Sequence, residues 1–307
     1  MSICAPRSAG SPRPSGRRAV WLLAMLLSLP ACSAGGDREP RAQTHPRRII
    51  SLVPAVTEML FALGAGERVV AVSDFDTYPP EVGNLPKVGA LLDPNVESIL
   101  RLQPDLVVAY GTQSALAENL KAAGIGLFPF VSGSIGDMLA ALEALGAATG
   151  RKEAGRKLAA GIAATLEDVR SHAPGDRPTV LLVHSRDAGT MGGFYTEGGP
   201  SYFNELIRIA GGENLFADVP IKAFQPSLEE ILERRPEVIL ELLPSRGGAP
   251  AALRQRLDDW SRLETLPAVT SGRVHVLADD YLLLNGPRIH LVAARLAEAI
   301  HPRPAVP

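Results

Sequence analysis

The side chains able to carry acid–base or metal chemistry in this sequence are six histidines, at 45, 172, 184, 275, 290 and 301, and two cysteines, Cys4 and Cys32. The histidines are scattered, without the close spacing or His-rich loop that a zinc site or zinc carrier needs. His290 falls at core spacing on an expected helix and reads as structural. Gly64-Ala65-Gly66 begins a dinucleotide fingerprint, but Val69 stands where the third glycine should be. No Walker loop, serine elbow or Cys-x-x-Cys pair occurs. These residues indicate no enzyme and no bound cofactor, and point to binding chemistry.

The residues that do stand out are aromatic. Beyond Trp21 the chain has only 14 of them, yet Phe75, Tyr78, Tyr110, Tyr195, Phe224 and Tyr281 fall in expected loops, mostly past the C-terminal ends of strands. In open α/β sheets that edge is where ligands bind. Such a set supplies the flat, mostly apolar walls of a cleft.

The elements that would position them follow from an internal repeat. Residues 95–108, NVESILRLQPDLVV, return 132 positions later as 227–240, SLEEILERRPEVIL. Glu97/Glu229, Ile99/Ile231, Leu100/Leu232 and Pro104/Pro236 are identical pairs, and Asp105/Glu237 match in kind. In each copy Asn95 or Ser227 can cap a helix, and a glutamate follows in the first turn, where the helix dipole favours an acid. Ser227 with Glu230 has the spacing of a capping box. The short amphipathic helix stops ahead of proline, which disfavours the α conformation before it. A run of branched apolar residues then suits a strand buried on both faces.

One such unit in each half predicts two Rossmann-like α/β lobes, at 47–150 and 174–302. Between them, 151–173 forms a single amphipathic helix with Leu158, Ile162, Leu166 and Val169 on one face, ended by Pro174-Gly175. The expected fold is therefore two α/β lobes joined by one long rigid helix, with a ligand cleft between them. Residues 188–199 read as a Gly-rich loop, and 302–307 as a frayed tail.

The first 31 residues carry four arginines, no acid and the apolar run Ala19–Leu29, which is too short for a bilayer span and reads as a signal peptide for export. It ends in Leu29-Pro30-Ala31-Cys32, which resembles the lipobox of bacterial lipoproteins, in which the signal is cut before a cysteine that is then acylated. Residues 32–46 read as a flexible tether from that lipid to the first lobe. Without the four arginines, 27 basic residues face 33 acidic ones, a net charge of −6, which argues against a nucleic-acid partner. Cys4 leaves with the signal and Cys32 takes the lipid, so no disulfide forms.

Several stretches resemble one family. They are Val53-Pro54-Ala55-Val56-Thr57-Glu58, Ser73-Asp74-Phe75-Asp76-Thr77-Tyr78-Pro79-Pro80, Asn95-Val96-Glu97, Pro104-Asp105-Leu106-Val107 and Gly211-Gly212-Glu213-Asn214. In this order, over about residues 47–301, they are similar to the periplasmic cobalamin/ferric-siderophore binding proteins of ABC importers, and most similar to the cobalamin-binding members. The resemblance implies two lobes bridged by a rigid helix, acting as a monomer at the periplasmic or extracytoplasmic face. By position it implies that Phe75 and Tyr110 lie against a corrin, that Tyr195, Asp280 and Tyr281 line the second lobe's side of the cleft, and that Glu97 and Glu229 dock onto arginines of two permease subunits coupled to their ATPases. Two departures bear on the ligand. Ala223-Phe224 stands where the family carries a tryptophan near Gln225, and a cleft arginine is replaced within Leu282–Leu284. Haem or a ferric siderophore stays open as the alternative ligand, and a metallochaperone or enzyme on the same scaffold as the alternative class.

Overall fold

The computed structural model describes residues 45–90, 93–187, 189–244 and 248–302. The expected signal peptide, Cys32 and nearly all of the tether lie outside the described residues, as do 303–307. The chain runs β1 (Ile49–Ser51), α1 (Pro54–Ala62), β2 (Val69–Val72), α2 (Val96–Arg101), β3 (Leu106–Tyr110), α3 (Ser114–Ala122), β4 (Gly126–Phe130) and α4 (Ile135–Ala148). After α5 (Lys152–His172) come β5 (Thr179–Ser185), β6 (Tyr195–Glu197), α6 (Tyr202–Ile209), β7 (Glu213–Asn214) and β8 (Ala223–Phe224). The second half closes with α7 (Leu228–Arg234), β9 (Val238–Leu242), α8 (Pro250–Ser261), α9 (Pro267–Thr270), β10 (Val274–Leu277) and α10 (Ile289–Ile300).

Two sheets result, as the repeat requires. The first is parallel throughout, in the order β2-β1-β3-β4. The second has the order β10-β9-β5-β6-β8, with β7 beside the start of β5. There β10, β9, β5 and β7 are parallel, while β6 pairs antiparallel with both β5 and β8.

The repeated unit has the same local geometry in both copies. Asn95 Oδ1 accepts from the Ser98 amide at 2.9 Å, and Ser227 Oγ accepts from the Glu230 amide at 3.1 Å. The expected capping box at Ser227 is only half made, because the Glu230 carboxylate faces Arg234 instead. Gln103 and Arg235, each just before the repeat's proline, are the only non-glycine residues with positive φ among those described, at 46° and 50°. A left-handed residue is a common way to end a helix, and here it is retained without the glycine that would make it strain-free. The acid after each proline then ties the next strand to the first strand of its own sheet. Asp105 accepts from the amides of Arg47 and Arg48 at 2.8 and 3.0 Å, and Glu237 accepts from that of Thr179 at 2.8 Å.

Strand alternation sorts the core into layers. Ile50, Leu52 and Val107 face an outer cluster with Ile99 and Leu116, while Leu181, Val183 and Ile239 face another with Phe194, Ile231 and Trp260. The opposite faces, with Ile49, Val53, Val180 and Leu182, open onto one apolar cluster common to both halves. Helix α5 runs through that common layer. Its 21 residues span roughly 31 Å. Gly155, Ala159, Ile162 and Leu166 form its buried stripe, with Leu158 and Val169 half-buried at the margins. Burying Ile162 and Leu166 stabilises the fold by about 1.5–3 kcal/mol each.

The structure corrects the expected secondary structure around two of the aromatic residues, Tyr195 and Phe224. Residues 188–199 are not all loop, because β6 occupies 195–197 and pairs with both β5 and β8. Three- and two-residue antiparallel strands are too short for alternation to show.

The α4–α5 contact is a backbone contact. A Cβ on Gly155 would stand 3.2 Å from the Leu142 carbonyl oxygen and 3.4 Å from Glu143 Cα. Gly155→Leu should therefore prise α5 off the first lobe and lower stability by about 1–3 kcal/mol in urea unfolding, despite leucine's better helix propensity. An unchanged or raised midpoint would show that the two helices are not held at backbone distance.

Candidate functional site

The first lobe presents its candidate residues on turns fixed by buried polar groups. After β2, Asp76 Oδ2 accepts from Ser73 N at 3.0 Å and from Ser73 Oγ at 2.5 Å, and Lys87 Nζ donates to the Asp76 carbonyl at 2.8 Å. Burial raises the Asp76 carboxyl above the ordinary aspartate range, against the lowering effect of the Ser73 hydrogen bond. Phe75 sits on this braced turn with its side chain out, 62% exposed. An exposed phenyl ring on a braced turn is a contact surface rather than a core residue. Tyr110 closes β3 and meets Phe130 edge-on at 5.7 Å. Burial raises its phenol pKa, so it stays a neutral aromatic wall.

The second lobe answers with Tyr195, which opens β6 and is 41% exposed. Its ring lies 5.9 Å from that of His184 on β5. His184 Nε2 lies 3.1 Å from Glu197 Oε1, without the alignment of a hydrogen bond. Beside Glu197 is Tyr202, whose hydroxyl donates to the Leu283 carbonyl at 3.3 Å. Burial first, and then the proximity of Glu197 and Tyr110, push its phenol far above the usual range. Tyr195, His184 and Glu197 thus form a contiguous group in the second lobe, and Glu197 and the first lobe's Tyr110 both lie near enough to the buried Tyr202 to act on its phenol.

The loop leading into Tyr195 is anchored by Arg186, which is fully buried. Its Nε donates to Glu241 Oε2 at 3.1 Å, its Nη1 to Asp259 Oδ2 at 3.0 Å and to the Thr190 carbonyl at 2.8 Å, and its Nη2 to the Arg256 carbonyl at 3.2 Å. Trp260 Nε1 also donates to Glu241, at 2.8 Å. A buried arginine is tolerated when its donors are used in this way.

The other sequence-predicted residues are placed differently. Phe224 lies on β8, half-buried, edge-on to Phe216 at 5.2 Å and packed on the second lobe's outer cluster. It is not a loop residue as expected. Asp280 is held by Arg288 Nη1 at 2.8 Å. Tyr281 lines a groove of about 710 Å³ between the C-terminal half of α5 and α10, with Asp168, His172 and Leu291. No described contact joins Tyr281 to Tyr110 or Tyr195. Glu97 projects from α2, its side chain 84% exposed and paired with Arg101 one turn on at 2.7 Å. Glu229 stands in the equivalent first turn of α7, also exposed. No three histidine, cysteine, aspartate or glutamate side chains converge as a metal site among the described residues. His290 Nδ1 lies 3.1 Å from the Pro287 carbonyl at the start of its own helix.

The junction between the lobes rests on residues the sequence reading passed over. Arg288, before α10, reaches Glu58 on α1, with Nε to Oε2 at 2.9 Å and Nη2 to Oε1 at 2.6 Å. This forked pair lies against the Tyr78 ring, 3.9 Å from its centroid. Burial raises the Glu58 carboxyl even though the Arg288 hydrogen bond and charge lower it. Asn285 Nδ2 donates to the carbonyls of Gly133 and Ser134 at 3.3 and 3.5 Å, and Ile135 N donates to Glu205 Oε1 at 3.4 Å. A Cβ on Gly286 would stand 3.3 Å from Ala55 Cα, so this loop seats directly on the start of α1.

Residues 49–281 match the model of the periplasmic binding protein family, and the chain belongs to that family. An uncharacterised ABC transporter substrate-binding lipoprotein of Bacillus subtilis is 31% identical over 275 residues, which is 87% of this chain and 83% of that protein. The solved periplasmic vitamin B12 binding protein of Vibrio cholerae superposes with a TM-score of 0.68 at 27% identity, covering 83% of this chain and 96% of that one. The solved periplasmic heme-binding protein of Roseiflexus sp. RS-1 gives 0.70 at 29% identity, covering 83% and 97%.

Arg288→Met leaves the Glu58 carboxylate buried without its partner. It should cost about 3–5 kcal/mol in denaturant unfolding. Pairing it with Glu58→Gln removes both charges and should restore most of that loss. A single-variant cost below about 1 kcal/mol would mean the pair behaves as a surface ion pair and does not pin the lobes.

Proposed function

We propose that this chain is the lipid-anchored, non-enzymatic substrate-binding protein of an ABC importer, and that it captures cobalamin or a related corrinoid between its lobes. The observation that carries this reading is the placement of aromatic side chains at strand ends of both lobes, Phe75 exposed after β2 and Tyr110 at the end of β3 in the first, and Tyr195 exposed beside His184 in the second. Flat, rigidly mounted walls suit a planar macrocycle, and the similarity to a vitamin B12 binding protein agrees. Acylation of Cys32 would hold the protein at the membrane, in keeping with its Bacillus subtilis lipoprotein relative. Haem is the second reading. It is favoured by His184 beside Tyr195, since an imidazole and a phenol are both ligands of haem iron, and by the similarity to a heme-binding protein.

Calorimetric titration of the purified protein with cyanocobalamin, haemin and ferric siderophores separates these ligands. Saturable binding of cyanocobalamin is the expected outcome, and saturable binding of none would remove the transport reading. A tightly bound transition metal or measurable turnover would favour a metallochaperone or enzyme instead.

Delivery calls for recognition by a permease. Glu97 and Glu229 are exposed acids at equivalent places in the two lobes, a pattern that suits a two-fold symmetric partner bearing arginines. Complementing a helix dipole explains an acid in the first turn, but the tether to Arg101 and the repetition in both lobes leave that account incomplete. Replacing both with Gln should leave ligand affinity and Tm nearly unchanged while ligand-dependent stimulation of the importer's ATPase falls at least about ten-fold. Full stimulation by the double variant at moderate salt would assign these glutamates to the helix ends alone.

A further inference from the structure

At the rim of the interlobe junction, Lys222 crosses from the second lobe to the first and donates its ammonium to the Ser132 carbonyl. Its own backbone is held firmly. The Gly198 amide donates to the Lys222 carbonyl at 3.0 Å, and the Gly199 amide donates to Val219 at 2.9 Å. A Cβ on Gly198 would stand 2.1 Å from the Ile221 carbonyl oxygen, so the segment lies on bare backbone and only glycine fits beneath it. Lys222 is therefore a long cationic arm on a fixed base.

Three features of this arm go beyond a strut between lobes. An ammonium has three donors, and the one described partner here is a neutral carbonyl. No carboxylate pairs with it among the described residues, whereas Arg288 at the same junction is consumed by Glu58 and Asp280. Its chain neighbours on the two sides of the contact, Ile221 and Val131, are 54% and 64% exposed, and with Phe75 they are the most exposed large apolar side chains described. An unneutralised cation set between exposed apolar groups complements a ligand that is apolar over its face and anionic at its edge.

We propose that Lys222 recognises an anionic substituent, a carboxylate or a phosphate, on the rim of the planar ligand, and that Val131 and Ile221 pack on the ring edge beside it. On binding, the ammonium would exchange the Ser132 carbonyl for the ligand's anion, a stronger charge-assisted partner. This rests on the interlobe cleft proposed above, and it deepens that reading by requiring a negative charge on the ligand.

The test uses two matched pairs of probes, titrated into the purified wild type, Lys222→Met and Lys222→Arg. Haemin is compared with its dimethyl ester, which lacks the carboxylates, and cyanocobalamin with dicyanocobinamide, which lacks the phosphate together with the ribose and base attached to it. For whichever charged probe the wild type binds, Lys222→Met should weaken binding about ten-fold or more and flatten its salt dependence. Its affinity for the uncharged counterpart should stay within about two-fold of wild type, and Lys222→Arg should keep the charged probe. Equal loss of both members of a pair would make Lys222 a strut and overturn the inference, as would no loss of either. A wild type that binds no probe at all fails at an earlier step and removes the cleft reading itself, which distinguishes the two failures.

Discussion

Helix α5 buries one stripe in a core that belongs to both sheets, and the rest of the architecture follows from that. Because Ile162 and Leu166 share one apolar cluster with Met59 and Leu142 on one side and Leu206 and Val292 on the other, the lobes cannot part without exposing that layer to water. Two flexible crossing strands would have let the lobes close like jaws; one buried helix does not. The polar pins at the junction refine the same geometry. The Arg288–Glu58 fork and the Asn285 contacts to 133–134 add direction to a non-directional apolar contact. Their contribution is a single relative placement of the lobes more than added net stability, since buried ion pairs give back much of their attraction as desolvation.

A fixed cleft changes what the rim must do. Where closure cannot wrap a ligand, complementarity has to be built in advance, and affinity rests on surfaces that stay exposed until they are filled. On the proposed ligand-binding reading, that accounts for Phe75 on a turn braced by buried Asp76, and for Tyr195 behind a loop stapled by Arg186. In each case a buried ionisable group holds the backbone segment that carries or precedes the aromatic residue, so that segment has little backbone freedom to lose. The pseudo-symmetric halves reuse one device, Asp105 and Glu237 binding strand-start amides, and so set α2 and α7 in equivalent places on their sheets.

What could be read in advance divides along sequence distance. The repeat carried the two-sheet fold because its signals are local, namely a cap, a first-turn acid, a proline and an apolar run. Helix α5 was legible from spacing alone. Strands β6 and β8 were not, and so Tyr195 and Phe224 were assigned to loops. Arg288 and Glu58 stand 230 residues apart, and neither has a local pattern that announces the other. His184, a scattered histidine in the sequence, gains meaning only when β5 and β6 pair and bring Tyr195 to it. Tyr281 reaches the junction as its neighbour Asp280 does, through Arg288, whose guanidinium lies 5.4 Å from the centroid of the tyrosine ring, and it also lines the groove between α5 and α10, a double placement that position in a motif does not disclose.

With α5 buried in a core common to both lobes, the cleft should be preformed, and the distance between the lobes with and without ligand shows whether it is. The chain beyond Cys32 has no other cysteine, so spin labels can be placed cleanly on exposed Glu118→Cys in α3 and Asp258→Cys in α8. Electron–electron double resonance should then give one narrow distance, moving by no more than about 2 Å when the protein is saturated with the ligand found by titration. Two resolved distances in the free protein, or a ligand-driven shift of several ångströms, would contradict the shared core as the constraint that sets the structure.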